Sequence, residues 1–124
     1  MHNVAIIGAG ITGITLANLL QKKVNLTVFE KSRGVGGRIA TRRAQPYQFN
    51  HGTQYFKIQN KEFKDFLQPL IRNKIIKPLE TNYIEIFNKK VIKRTKIYNK
   101  KYYTAVSNMN LVVKYLINNN FFIK

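Results

Sequence analysis

The sequence predicts an α/β fold that opens on a parallel βαβ unit and continues into a β-rich region that is only begun. Three observations predict it. A run of strand-forming residues, Val4-Ala5-Ile6-Ile7, leads straight into Gly8-Ala9-Gly10-Ile11-Thr12-Gly13. An apolar stretch at helical spacing follows. A second strand-like run, Leu26-Thr27-Val28-Phe29, ends on Glu30, 17 residues after Gly13.

The elements are expected in this order. Strand 4–7 comes first, then a helix near 12–22 with Ile14, Ala17 and Leu20 on one face. Strand 26–30 follows, then a loop rich in Arg and Gly and short extended pieces to about Phe56. Residues 62–72 read as a helix, because Phe63, Phe66, Leu67 and Leu70 fall at helical spacing; Pro69 should kink or end it. Residues 83–87 and 91–98 read as a hairpin around Asn88-Lys89-Lys90, and 102–106 as another strand. A last helix near 109–118 should turn Leu111, Val112, Tyr115 and Leu116 inward, with Asn118-Asn119-Asn120 breaking it. The change from βαβ to hairpins divides the chain into 1–60 and 61–124, the second being the start of a further domain.

The glycine spacing carries chemistry. Gly8 permits a sharp turn off the strand. Gly10 has no side chain to keep a pyrophosphate away from the backbone. Gly13 lets the helix pack against the strand, and Ile11, Thr12 and Gly13 open that helix with free N–H groups and a partial positive charge. Glu30 stands where a carboxylate accepts hydrogen bonds from the ribose hydroxyls of adenosine, and its charge disfavours a 2′-phosphate. This is a Rossmann-like FAD/NAD(P)-binding reading. Two alternatives stay open: a tight turn before an ordinary helix, and a signal peptide, since residues 4–20 carry no charge. The second lacks a basic residue ahead of the apolar stretch.

Directly after the acid comes Lys31-Ser32-Arg33-Gly34-Val35-Gly36-Gly37-Arg38-Ile39-Ala40-Thr41. The glycine pair lets backbone lie against a diphosphate, and Arg33 and Arg38 supply cationic donors for its oxygens. A nicotinamide dehydrogenase has no need of this arrangement. The alternative is a glycine-rich surface loop with solvated arginines.

This run resembles the second flavin motif of the amine-oxidase and desaturase superfamily. Residues 29–43 match a Phe-Glu-Lys-Ser-Arg-Gly-x-Gly-Gly-Arg-x-Ala-Thr-Arg-Arg run of renalase-like flavoproteins. Residues 50–56, Asn50-His51-Gly52-Thr53-Gln54-Tyr55-Phe56, resemble their Asp-His-Gly-Ala-Gln-Tyr-Phe segment, and Met109 with its apolar helix resembles their Gly-Met-x-x-Leu-x-x-x-Leu segment. The resemblance covers nearly the whole chain but about the first third of the family's length. It implies a Rossmann-like domain interleaved with a smaller sheet-based domain, and non-covalent FAD. It implies hydride transfer from an amine or dihydronicotinamide-type substrate to the flavin, with dioxygen as acceptor. It implies cofactor-binding roles for Gly8, Gly10, Ile11, Thr12, Gly13, Glu30, Lys31, Arg33, Gly36, Gly37, Arg38, His51 and Gly52. Gln54 and Tyr55 match the segment near the flavin ring, and His51 reads equally as a hydrogen-bonded structural histidine. No catalytic residue is assigned.

The sequence departs from that family at Asn50, where an aspartate is usual and whose loss removes a charge near the cofactor. It departs also at Thr53 and at Ser107-Asn108-Met109 in place of a Pro-Gly-Met turn. No segment matches the C-terminal FAD-binding element, so the chain reads as an N-terminal portion whose catalysis depends on further sequence, or as a non-catalytic remnant.

The net charge is +17, a balance that favours polyanions. The lysines are dispersed, however, and the 16 Lys, 14 Asn and 15 Ile fit a genome rich in A and T. A nucleic-acid-binding module is therefore the lesser alternative, and no specific nucleic acid or membrane span is expected. Zero cysteines exclude disulfides and a cysteinyl flavin and fit a reducing cytoplasm. The acids and histidines are too scattered for a metal site.

Overall fold

The computed structural model describes residues 1–117 and 122–124, with the side chains of 97–100 and 122 outside the description. The chain opens as a parallel βαβ unit. Asn3–Ile7 (β1) pairs in parallel with Asn25–Phe29 (β2), Val4 opposite Leu26 and Ile6 opposite Val28. Ile11–Leu20 (α1) crosses between them, starting and ending slightly ahead of the expected helix. Alternation within the strands decides the layers. Ile6, Leu26 and Val28 turn toward Ile14 and Ala17 of α1, and all five are buried. Ala5, Ile7 and Phe29 turn away, and Ile7 is 82% exposed.

Between β2 and the second half lie a 3₁₀ turn at Gly37–Ile39 and a short antiparallel pair, Thr41–Ala44 (β3) and Tyr47–Asn50 (β4). Phe56–Lys57 (β5) then leads to Lys61–Arg72 (α2). The Asn60 side chain accepts from the Phe63 N–H at 2.8 Å and caps α2, while Glu62 and Arg72 suit the two ends of its dipole. Pro69 neither ends nor stops this helix. It lacks an N–H, which leaves the Asp65 carbonyl without its helical donor, but both residues are exposed, so that carbonyl is open to solvent. Leu67 and Leu70 are buried, Phe66 partly so, and Phe63 lies out at 37% exposure.

Ile76–Phe87 (β6) and Lys90–Ala105 (β7) form one long antiparallel ribbon rather than the separate short hairpin and strand expected. The strands run continuous because two register shifts, at Pro78/Glu80 and Glu85/Ile86, absorb the irregularities. Asn88 and Lys89 both have positive φ, 47° and 62°, the signature of a two-residue turn that matches strand twist. The ribbon joins the body through β5, where Phe56 stacks on Tyr103.

The last helix, Asn110–Leu116 (α3), starts where expected and turns Val112 and, in part, Leu116 inward as expected, but its face is shifted. Val112 and Val113 are buried, whereas Leu111 is half-buried and Tyr115 is exposed. Tyr115 turns outward because its hydroxyl accepts from Asn73 Nδ2 at 2.8 Å, tying α3 to the end of α2. The Asn118-Asn119-Asn120 breaker lies outside the described residues; within them α3 ends at Leu116, with Ile117 extended. The sequence reading had no strand after this helix, yet Phe122–Ile123 (β8) adds in parallel to β2, giving the order β1-β2-β8. Two residues are too short for a periodic signal. Asn18 of α1 donates to the Leu116 carbonyl at 2.6 Å and locks α1 to α3. The core is one cluster running from Ile6 and Ile14 through Met109 and Val113 to Leu67, Leu70 and Ile76. Among the described residues no helix is long and apolar enough to cross a membrane.

Candidate functional site: a glycine loop, an acid and an arginine segment

The site lies at the carboxyl ends of β1 and β2, where ligands of open α/β sheets bind. The Gly8 N–H donates to the Phe29 carbonyl at 2.7 Å, which joins the two strand ends. Gly8 has φ 102°, a conformation that side chains resist, so the turn itself requires glycine. At Gly13 the reason is packing: a Cβ would meet the Gly8 carbonyl oxygen at 2.1 Å. Gly10 differs from both. Its φ is −78°, open to any residue, and a Cβ would come no nearer than 4.0 Å to Gly36 and Gly37. Neither the fold's backbone nor its packing explains the glycine there. Gly10 also begins α1, whose N-terminus has no side-chain cap and no acid in its first turn. The N–H groups of the first turn, Ile11 to Gly13, are the orphan donors of a helix start.

Three segments distant in sequence meet at this loop. Gly10 forms an isolated parallel bridge with Gly36, whose N–H donates to the Ala9 carbonyl at 3.0 Å. The Thr53 N–H in turn donates to the Arg38 carbonyl at 3.0 Å, and Gly52 is closely packed on that same carbonyl. Glycine loop, arginine segment and the residues after His51 are therefore stacked side by side. Lys31, Arg33, Arg38 and His51 are exposed. The ion pair found among the described residues, Lys61 with Asp65, lies on α2, so the two arginines keep their charge unneutralised beside the loop.

Glu30 sits half-buried at the end of β2. Its Oε2 accepts from the Ala9 N–H at 2.7 Å and its Oε1 from the Ser32 N–H at 2.8 Å. Those two bonds, the Ser32 one foremost, hold its carboxyl below the usual carboxylate range, with the Lys31 charge adding to them.

Two residues of the neighbourhood have roles that the sequence does not announce. The side-chain carbonyl of Asn50 accepts from the Thr41 hydroxyl and the Met109 N–H, both at 2.9 Å, and fixes the approach to α3. Asn110 carried no sequence signal. It packs behind Gly36, and its buried Oδ1 has no protein partner. An apolar cavity of about 240 Å³ adjoins the site, lined by Ile11, Ile39, Thr53, Phe56, Phe63 and Met109. A wider depression of about 640 Å³ is lined by Met1, Asn3, Ala5, Val24, Asn25 and Phe29. Among the described residues no group of three or more His, Cys, Asp or Glu is placed to hold a metal.

The chain matches the NAD(P)-binding Rossmann-like domain family over residues 6–70. It is 38% identical to prenylcysteine oxidase 1 of Bos taurus over 73 residues, which is 56% of this chain and 14% of that protein. With the Mus musculus protein of the same name it shares 32% over 93 residues, 72% of this chain and 18% of the relative. Among solved structures, a protein described as a protoporphyrinogen oxidase from an Exiguobacterium species superposes with TM-score 0.52 and 20% identity, over 67% of this chain and 19% of that one. A putrescine oxidase mutant with redesigned cofactor binding superposes with TM-score 0.50 and 25% identity, over 78% of this chain and 21% of that one. The chain thus spans less than a quarter of the length of each relative. Its parallel βαβ unit, its glycine loop and the family match over residues 6–70 agree, and the chain belongs to the NAD(P)-binding Rossmann-like domain family.

Proposed function

We propose that this chain is the FAD-binding N-terminal portion of a renalase-like flavin oxidase. Gly10 is the observation that carries the reading. A glycine that neither its own φ nor its neighbours require, at the mouth of an uncapped helix, leaves the space of one Cβ to an incoming phosphate. The second motif favours FAD over NAD: Gly36 and Gly37 bring backbone to the loop, and Arg33 and Arg38 supply unneutralised cations for a diphosphate. Glu30 is the acceptor for the adenosine ribose. His51 and Gly52 border the opposite side of the site through the Arg38 contact. The names of the relatives, each an oxidase, support the same class.

In this reading the loop, Glu30 and the arginine segment would hold FAD without a covalent link, and FAD would supply a hydride acceptor for an amine or dihydronicotinamide-type substrate, with dioxygen as the terminal oxidant. The residues of this chain bind and orient. The first turn of α1 would offer its N–H groups to the pyrophosphate, and Arg33 and Arg38 would supply cationic donors to it. Residues 1–60 form the cofactor unit, to which α3 and β8 are added through α1 and β2, and the remainder of 61–124 begins the substrate region. A cytoplasmic location accords with the lack of cysteine.

The test is flavin retention. The purified chain, loaded with FAD and freed of excess ligand, should keep a perturbed flavin spectrum. Gly10→Ala should abolish or sharply weaken retention while melting like the parent, since its Cβ has room in the fold. Gly13→Ala should instead lose the fold, because its Cβ meets the Gly8 carbonyl. Full retention by Gly10→Ala would overturn the site.

A further inference from the structure

We infer that Glu30 is a positioning residue of the phosphate loop, and that its carboxylate assembles the anion site before any cofactor arrives. The inference rests on the dinucleotide reading of the site for its functional meaning and on geometry alone for the contact. Each carboxylate oxygen accepts one backbone N–H, from Ala9 on the glycine loop and from Ser32 at the head of the arginine segment. One side chain thus bridges the two loops that would have to close on a diphosphate.

The rest of the wiring explains why such a bridge matters. Ala9 is fixed at both ends, its N–H by Glu30 and its carbonyl by the Gly36 N–H. Gly10, directly after it, has no side chain to hold it. With the Ala9 N–H occupied, the donors left to a phosphate begin at Gly10 and continue into the first turn of α1. Glu30 is itself held at the carboxyl end of the central strand β2, where its own N–H donates to the Lys124 carbonyl at 2.8 Å. An ionised carboxylate offers about four acceptor positions, so two remain for ribose hydroxyls. Clamping the loop beforehand removes an ordering cost that binding would otherwise meet. Around the carboxylate, the glycine loop carries no titratable side chain, β8 brings Lys124, and its own segment brings Lys31 and Arg33.

Glu30→Gln separates this role from simple ribose binding. An amide suits hydroxyl groups, offering one acceptor and two donors. Against two backbone N–H groups it fails, because its NH₂ must face one of them. Flavin retention by Glu30→Gln should therefore fall at least tenfold, close to the loss in Glu30→Ala. The clamp is also read without FAD. In the ¹⁵N-labelled chain the Ala9 and Ser32 amide resonances should titrate together, with one midpoint below the usual carboxylate range, and the response should vanish in Glu30→Gln. Peptide-level hydrogen exchange gives a second reading: Glu30→Ala should speed exchange over residues 8–13 and leave β2 protected. Amides of Ala9 and Ser32 that ignore pH, loop exchange unchanged in Glu30→Ala, or wild-type flavin retention by Glu30→Gln would each overturn the inference. If the parent chain fails to retain FAD while the two amides still titrate together, the clamp stands and the flavin assignment falls.

Discussion

At the scale of single residues, the site is built from backbone, and its side chains act on backbone. Glu30 holds two N–H groups, Asn50 holds the start of α3, and Asn60 holds the start of α2. The Glu30 contacts have a pH consequence. Its carboxyl is lowered in the folded chain relative to the ordinary value, so its contribution to stability is complete above the carboxylate's unfolded range. It declines as pH falls through that range and is lost once the folded value is passed. The melting difference between the parent and Glu30→Gln should therefore be widest near neutrality and shrink toward zero in acid. A difference that grows on acidification would contradict the geometry. The glycine spacing, Glu30 and both arginines were legible in the sequence because turns, close approaches and terminal acids demand particular residue types at fixed separations. Asn110 was not legible, since a buried amide behind Gly36 depends on where α3 lands and nothing local marks it.

At the scale of elements, local chemistry set the ends and tertiary contacts set the faces. The α2 start was readable from its apolar spacing, and its cap is a single hydrogen bond. Asn60→Ala should cost about 1 kcal/mol of stability, measured by denaturant titration, whereas Asn60→Asp should be nearly neutral. A cost for Asn60→Ala within error of zero would mean that packing of Leu67 and Leu70 alone holds the helix. The inward face of α3 could not be read the same way. Seven residues give barely two turns, and both Val113 and Tyr115 fit an apolar stripe. The choice is made by Asn73, which draws the Tyr115 hydroxyl to the end of α2. The ribbon β6–β7 was legible as strands because of its β-branched residues, and its turn because of Asn88. Its unbroken length was not, since bulges leave no mark in the alternation beyond a slipped residue. β8 was missed because its stability comes from β2, not from Phe122 and Ile123 themselves.

At the scale of the whole molecule, two forces oppose each other on the surface. Parallel sheets are ordinarily covered on both faces, yet here Ile7 and Phe29, paired in register on β1 and β2, remain 82% and 41% exposed on the face opposite α1. β6 is an open edge strand, and the end of the ribbon exposes Ile86, Phe87 and Val91. Open edges and apolar faces drive association. Against them stands a net charge of +17, which repels one copy from another. Repulsion between exposed charges is screened over about 10 Å at 0.1 M salt and about 3 Å at 1 M, whereas burial of Ile7 and Phe29 is not weakened by salt. The chain should therefore stay monomeric at low ionic strength and self-associate as salt is raised, as light scattering or sedimentation would record. Ile7→Lys, which adds charge and removes apolar area at the carboxyl end of that face, should move the onset to higher salt without changing the melt, because Ile7 is outside the core cluster. If salt instead dissolves aggregates formed at low ionic strength, the association is electrostatic, with a co-purified polyanion bridging the copies, and the uncovered sheet face is not its cause.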